Sequence, residues 1–543
     1  MDILNGMLLW IAYLLVFLFA TLVFFILKIY TGKSIHSPHY APVKGTTFHQ
    51  FLYFDHLYHH QLQVTLQHPT YRLLAIDHSD IFTSDTRNIE HVLKTNFKNY
   101  TRGKNREDTV ADLWGDGFFA ADGEKWMHQR KLLVSKFSRR VVTDFSCSVF
   151  RKHALSLVGA VSKMAASGQA IPIQGLVMKC SFHSMFEVGF GIDLKNLQSL
   201  SDEGNVFIKA FDDGNERLFT RLFDPFWKLK RFLNIGAEAT FKKNVKIIDD
   251  FVYNVISTKK ELLVSRRDYV SFLIRIRSYS THDFFPEAIN NECFLFGGLK
   301  DAKEDLLSGL LTTEIEKNPE LMTDKYLRDI TLNMIIAGKD STAVALSWFF
   351  YVLCKYPLVQ EKVAQEVMDI TNSDGNIAAV DEFIPTITSA TLDQMHYLHA
   401  AITETLRLFP PIPMDSRYVE EDDILPDGHR VKAGDEINYV TYAMARLPYI
   451  WGEDADCFRP ERWLKNGVFQ PESPFKFVTF HAGPQICLGK DFTYRQMKIY
   501  AIALIRYFRF KFADGMEDIT YTTSFSLGMS KELHVWAVPR TMV

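Results

Sequence analysis

The stretch Phe480-His-Ala-Gly-Pro-Gln-Ile-Cys-Leu-Gly489 sets one cysteine, Cys487, between Gly483 and Gly489, just before a run that reads as a helix from Lys490 to Arg509. A thiol in that place meets the open N–H groups and positive dipole end of a helix, which stabilise a charged sulfur. Such a sulfur suits a metal. Glycines at 483 and 489 let backbone approach a flat macrocycle where any Cβ would clash, and Phe480 is placed to shield the sulfur from water. Alone, the same residues also describe a buried thiol before a helix, so other stretches must decide.

A second constellation lies in the longest predicted helix, Thr323 to Cys354, with Thr323 and Asp324 as caps and an end near Pro357. It contains Ala337-Gly338-Lys339-Asp340-Ser341-Thr342. A helix-interior glycine costs about 1 kcal/mol against alanine, so Gly338 implies a reason such as close approach of a ligand. Asp340 and Ser341 add an acid and an alcohol. The plainer alternative is a glycine at a helix crossing beside a solvent-facing acid. Asp122 to Lys131 reads as a helix start that puts Trp126 and Arg130 on one face, suited to grip an acid; the alternative is a core aromatic beside a solvated arginine. Glu404 and Arg407 stand at i and i+3, worth about 0.2–0.5 kcal/mol on a surface. If buried, with Arg462 and Trp463 of Phe458-Arg-Pro-Glu-Arg-Trp463, such charges must be paired.

In this order, from Trp126 to Gly489, these stretches resemble the cytochrome P450 monooxygenases. Phe480, Gly483, Cys487 and Gly489 match the cysteine loop of that family. Gln485 departs from it, standing where the pattern has an arginine that partners a haem propionate; glutamine donates a hydrogen bond but carries no charge. The resemblance implies a mainly α fold with a small β portion and haem b (iron protoporphyrin IX) between the Ala337 helix and the Cys487 helix. In it Cys487 ligates iron, Trp126 and Arg130 hold the propionates, and Ala337, Gly338, Phe480, Gly483, Gln485 and Gly489 surround the cofactor. Asp340 and Ser341, with Thr342, deliver protons during oxygen activation. Glu404, Arg407 and Arg462 lock the loop leading to the cysteine. Electrons come from NADPH through a membrane-bound NADPH-cytochrome P450 reductase, which Lys131, Lys490, Arg495 and Lys498 are candidates to steer.

Gly115 to Gly123, Tyr418 to Pro426 and Gln470 to Phe475 are similar to the plant fatty-acid ω-hydroxylase branch. That implies hydroxylation of a long-chain fatty acid at its terminal carbon. The terminal C–H bond is stronger than its methylene neighbours, so selectivity must come from a pocket that presents only the chain end. Candidate lining residues are Phe118, Phe119, Ile412, Met414, Phe525 and Leu527, each equally at home in plain core packing. Two other readings stay open: an in-chain hydroxylase or epoxidase of another lipid, and a degenerate, non-catalytic haem-binding membrane protein.

The whole chain frames these sites. With 47% hydrophobic and 23% charged residues it is globular, and 44 Phe with 22 Tyr suggest apolar pocket space. A net charge of -3 argues against a nucleic-acid partner. Six scattered cysteines without a CxxC pair indicate neither a disulfide framework nor a zinc knuckle, and fit a reducing compartment. Met7 to Leu27 is uncharged and long enough to cross a bilayer, and Lys28 and Lys33 after it put the rest of the chain on the cytosolic side. The expected organisation is therefore a single-pass anchor (1–30) in the endoplasmic reticulum membrane, a linker (31–47) and one domain (48–543). Within that domain, Ser265 to Gly298 reads as an insertion or an unremoved intron, and Asp224 to Leu233 as a membrane-surface segment or an ordinary amphipathic helix. Strand-like runs are few: Tyr71 to Ile76, Arg430 to Val431 and Lys531 to Val538.

Overall fold

The computed structural model describes residues 2–137, 144–193, 198–279, 305–317, 323–371 and 379–540. They form two compact units, each assembled from three separate stretches of chain. The first comprises Met1–Gly103, Pro413–Asp456 and Ser473–Ile486, the second Lys104–Ile412, Cys457–Glu472 and Cys487–Val543. No run of linker composition marks these crossings, which is why the sequence suggests one domain.

The first unit begins with helix α1 (Asp2–Tyr30), whose side chains from Trp10 to Leu27 are nearly all exposed. At 1.5 Å per residue it is long and apolar enough to cross a membrane. A six-stranded sheet follows: β1 (Val43–Thr46), β2 (Thr70–Leu74), β3 (Ser79–Thr83), β4 (Tyr100–Thr101), β5 (Asp415–Val419) and β6 (Glu436–Tyr439), in the order β1-β2-β3-β6-β5-β4. β3 runs parallel to β6, and β5 antiparallel to it with Arg417 opposite Ile437. Ile81, Leu93, Val419 and Ile437 make its core, which Val478 and Ala482 of the cysteine loop join. The expected linker is not loose. Residues 43–46 are strand β1, and ahead of them Lys33 Nζ donates to His78 O at 2.8 Å and Arg72 N to Pro42 O at 3.0 Å.

The second unit is helical: α2 (Lys104–Trp114), α3 (Gly123–Lys136), α4 (Ser146–Ala166), α5 (Ile173–Phe190), α6 (Gln198–Arg221), α7 (Trp227–Leu233), α8 (Ala237–Tyr279), α9 (Asp324–Lys355), α10 (Pro357–Ile370), α11 (His396–Leu408) and α12 (Lys490–Ile505). Buried Leu332, Leu346, Phe349 and Phe350 put α9 at the centre, with α5 packed along it. Its start is as expected: Thr323 Oγ1 accepts from Tyr326 N at 3.2 Å, and Pro357, which cannot continue a helix, opens α10 instead. The helix after Cys487 stops earlier than its hydrophobicity suggests. It ends at Ile505, and Phe508, Phe510 and Phe512 alternate along strand β7 (Phe508–Phe512), paired with β8 (His534–Pro539).

Asp224 to Leu233 is mostly the short helix α7, with Phe226, Leu229, Phe232 and Leu233 exposed while Trp227 is buried against the Arg221 guanidinium, 4.6 Å from its ring centre. Of the predicted insertion, residues 265–279 continue α8 and residues 280–298 lie outside the described residues.

Candidate active site

The cysteine loop up to Ile486 belongs to the first unit. A Cβ on Gly483, whose φ is +64°, would sit 2.0 Å from the carbonyl oxygen of Leu93. The close approach that demands glycine here is therefore to protein backbone, not to a macrocycle as its position suggests. His481 holds φ +62° without being glycine, a cost of about 1–3 kcal/mol that its surroundings must offset. They do so through side chains: the Tyr439 hydroxyl lies 2.8 Å from His481 Nε2, and Nδ1 lies 3.1 Å from Ala482 O. Burial and the neighbouring Arg417 hold the imidazole below its ordinary pKa, so it is neutral. Gln485 Oε1 accepts from Arg417 Nη2 at 2.6 Å, and Arg417 Nη1 donates to Asp415 Oδ2 at 2.9 Å. Phe480 packs edge-on against Phe477, ring centres 6.3 Å apart.

In the second unit Cys487 keeps exposed surface at the start of α12. Burial of the thiol raises its pKa, against the pull of the Gly489 N–H and the charges of Arg130 and Lys490. Arg130 of α3 feels the charge of Cys487, and Trp126 on the same helix is buried. A Cβ on Gly489 would have Cys487 Sγ, 3.9 Å away, as its nearest neighbour. The face beside the sulfur is thus open to a flat group.

On α9 the glycine has another cause. A Cβ on Gly338 would meet Met185 Sδ at 2.4 Å, so the α5–α9 packing excludes a side chain there. Ser341 Oγ donates to Ala337 O at 2.8 Å, and the buried Thr342 hydroxyl lies 3.4 Å from that of Thr493. Asp340 is not simply solvent-facing: Lys339, itself buried, donates to it at 2.7 Å and also pairs with Asp212 of α6. Sequence reasoning passed over Lys339, although a lysine inside so apolar a helix was a signal.

Glu404 and Arg407 are buried, not a surface pair. Arg407 donates twice to Glu404, at 2.7 and 2.8 Å, and Arg462 and the Arg459 N–H add to the same carboxylate at 3.3 and 3.0 Å. Trp463 Nε1 completes it at 2.8 Å.

The Gly115 to Gly123 stretch is tied to α9. Asp329 accepts from Asp116 N and Asn333 from Phe119 N, each at 3.0 Å, and a Cβ on Gly115 or Gly117 would lie 2.1 Å from those two side chains. This tether fixes Phe118 and Phe119, whose ring centres are 4.4 Å apart. Trp114 stands 5.4 Å from Phe525, and Phe525 5.2 Å from Phe219. Three predicted lining residues, Phe118, Phe119 and Phe525, thus share one aromatic cluster, half-buried, with Trp114 and Phe219 added. Leu527 is core, its carbonyl accepting from Trp348 Nε1 at 2.7 Å; Ile412 is exposed and Met414 belongs to the first unit. Lys498, expected to steer a partner, is buried with its ammonium on Leu392 O at 2.7 Å, so it cannot do so; Lys131 is exposed.

The family model for cytochrome P450 matches residues 38–536. The chain belongs to the cytochrome P450 family. Among similar plant proteins, cytochrome P450 704C1 of Pinus taeda is 39% identical, covering 92% of each chain. Cytochrome P450 704B1 of Arabidopsis thaliana is 37% identical over 93% of this chain and 95% of its own, and cytochrome P450 86B1 of the same plant 36% over 80% and 72%. As a cytochrome P450 the protein is a monooxygenase whose cofactor is a haem with a cysteine thiolate on iron. The donor set fits that group: Cys487 offers one sulfur beside the open face at Gly489. A lone sulfur suits an iron that arrives with four porphyrin nitrogens of its own.

Proposed function

We propose that this cytochrome P450 hydroxylates long-chain fatty acids at the terminal carbon. The observation that carries this reading is the aromatic cluster of Trp114, Phe118, Phe119, Phe219 and Phe525, a rigid apolar wall held on α9 by Asp329 and Asn333. Such a wall binds hydrocarbon by burial of apolar surface and restricts which carbon is presented. When bound, thiolate-ligated haem supplies the power to cleave O2 and place one oxygen atom in a C–H bond, with two electrons and two protons reducing the other to water.

The side chains divide that work. Cys487 would supply the sulfur that binds iron, with the Gly489 N–H and the Arg130 and Lys490 charges opposing the upward pull of burial on its pKa. Trp126 and Arg130 would grip the cofactor carboxylates, alongside Ala337, Phe480, Gln485 and Gly489 around it. Asp340, Ser341 and Thr342 move protons, with Asp340 held by Lys339. Electrons come from NADPH through NADPH-cytochrome P450 reductase, with Lys131, Lys490 and Arg495 left as its candidate contacts. Helix α1 anchors the chain in the endoplasmic reticulum membrane with the rest facing the cytosol, and exposed Phe226, Leu229 and Phe232 of the second unit rest on lipid.

The test begins with the reduced carbon-monoxide difference spectrum of detergent-solubilised protein, then turnover of C16 and C18 fatty acids with reductase and NADPH. Thiolate-type absorption and a terminal-hydroxyl product support the reading. In-chain hydroxyls or epoxides would replace it with the in-chain reading, and no thiolate-type band with the degenerate one.

A further inference from the structure

The chain leaves its apolar helix without slack. Ile29 in the last turn of α1 is buried, and Lys33, three residues beyond Tyr30, places its ammonium on the Ala75 and His78 carbonyls of the β2–β3 turn, the latter at 2.8 Å. Asp77 in that turn feels the charge of Lys28. Further along, Arg72 Nη2 donates to Ser34 O at 3.1 Å and Nε to Ala41 O at 2.9 Å, and the Tyr40 ring meets the Arg72 and Lys432 cations, 5.2 and 5.3 Å from its centre. Strand register brings an apolar surface to the same end of the sheet. Thr46, the last residue of β1, pairs with Leu74, and Thr47 N donates to Leu74 O at 3.0 Å, so the chain leaves β1 beside the turn that Lys33 holds. It then exposes Phe48, Phe51, Leu52 and Tyr53, with Leu52 77% exposed and the Phe48 and Phe51 rings stacked, centres 6.3 Å apart.

We propose that Lys33 clamps α1 to the β2–β3 turn and thereby holds Phe48, Phe51, Leu52 and Tyr53 in the headgroup layer of the bilayer that α1 spans. The proposal rests on α1 being a membrane span. Three residues of chain reach about 10 Å at most, and the headgroup layer adds about 5–8 Å to each side of the hydrocarbon core. The clamped turn therefore lies at the lipid surface, and the aromatic stretch beside it lies there too. This placement favours lipid as the occupant, because a protein partner for the patch would have to displace the bilayer. Contiguous apolar side chains left open at such a surface gain by entering it, and aromatic rings suit its mixed polarity. Lys33 gives up two charge-assisted hydrogen bonds if it leaves the turn, so the clamp stays closed.

The experiment places the full-length protein in phosphatidylcholine nanodiscs that contain a photoactivatable phosphatidylcholine, its diazirine in the upper acyl chain, and maps labelled peptides by mass spectrometry. The parent should be labelled on α1 and on Phe48 to Tyr53. A flexible Gly/Ser insert between Tyr30 and Thr31 leaves the contacts of Lys33 in place but frees them from the span. Labelling of Phe48 to Tyr53 should then fall on the order of tenfold, since a loose tether lowers the effective concentration of the patch at the bilayer, while α1 labelling and far-UV circular dichroism stay at the parent level. Lys33→Met, which breaks the clamp itself, should lower the same signal, and so should Phe51→Ser with Leu52→Ser, which removes the apolar contact. An unlabelled Phe48 to Tyr53 in the parent, or parent-level labelling there in any of the three variants, would overturn the proposal. Absence of label from α1 in the parent would instead overturn the membrane-span reading beneath it.

Discussion

Trp463 Nε1 donates to Glu404 Oε2 at 2.8 Å, with both side chains out of water. A phenylalanine at that place would offer no such donor. The same carboxylate carries Arg407 and Arg462, so the indole is one of its few neutral partners. A hydrogen bond to a buried charge is worth about 1.5–3 kcal/mol. Trp463→Phe should lower the denaturant midpoint accordingly and speed thermal loss of the carbon-monoxide band; a parent-like midpoint would assign the indole to packing alone.

The two loop glycines should fail differently. Gly483→Ala places a Cβ 2.0 Å from Leu93 O at a φ of +64°, and backbone cannot give way as a side chain can. We expect a loss of about 3 kcal/mol or more and little folded protein. Gly489→Ala meets only Cys487 Sγ at 3.9 Å, so circular dichroism should be unchanged while haem stoichiometry drops. Equal damage to the fold in both would show that Gly489 too is held for packing.

Lys339 joins Asp212 and Asp340 with an ammonium almost out of solvent, over the Phe211 ring at 5.4 Å. Lys339→Met leaves two carboxylates without their shared cation and Asp340 without its anchor. Product formed per NADPH consumed should fall on the order of tenfold, a modest share of what a positioned proton donor supplies, with the carbon-monoxide spectrum intact. A parent-like ratio would restrict Lys339 to a structural part.

His399 lies between Tyr494 and Phe469, ring centres 4.2 and 4.1 Å away, and burial with the nearby Lys498 and Lys490 charges lowers its pKa from 6.5 to about 2. Folded protein keeps it neutral, whereas the unfolded chain takes a proton below 6.5. Stability is therefore full above pH 6.5 and falls as pH drops, by about 1–2 kcal/mol between 6.5 and 5. Denaturant midpoints at the two pH values should show this slope in the parent and a shallower one in His399→Phe.

The helices were legible where capping and periodicity coincide, as at Thr323, whereas a lone cysteine between glycines before a helix also describes a buried thiol, so the reading of Cys487 drew on the order of the other stretches. Two glycines serve packing: Gly338, as its helix-crossing alternative has it, and Gly483, read for a macrocycle, yield to Met185 and Leu93, contacts that join residues over a hundred positions apart and leave no local trace. Arg417 was invisible because two of its partners, His481 and Gln485, come from the cysteine loop, 64 and 68 positions further on. The six-stranded sheet was under-read because strands such as Ser79–Thr83 are short and take their burial from neighbours distant in the chain.

Five crossings separate the two units, the last falling between Ile486 and Cys487. During synthesis this order sets a schedule. The roughly 300 residues between Gly103 and Pro413 take on the order of 15–60 s to translate, and until then β3 has no β6 to pair with. A nascent chain with its first three strands made and that edge bare is a target for chaperones and for aggregation alike. Codon changes that slow the ribosome between those points should therefore reduce the yield of native enzyme without altering a single residue.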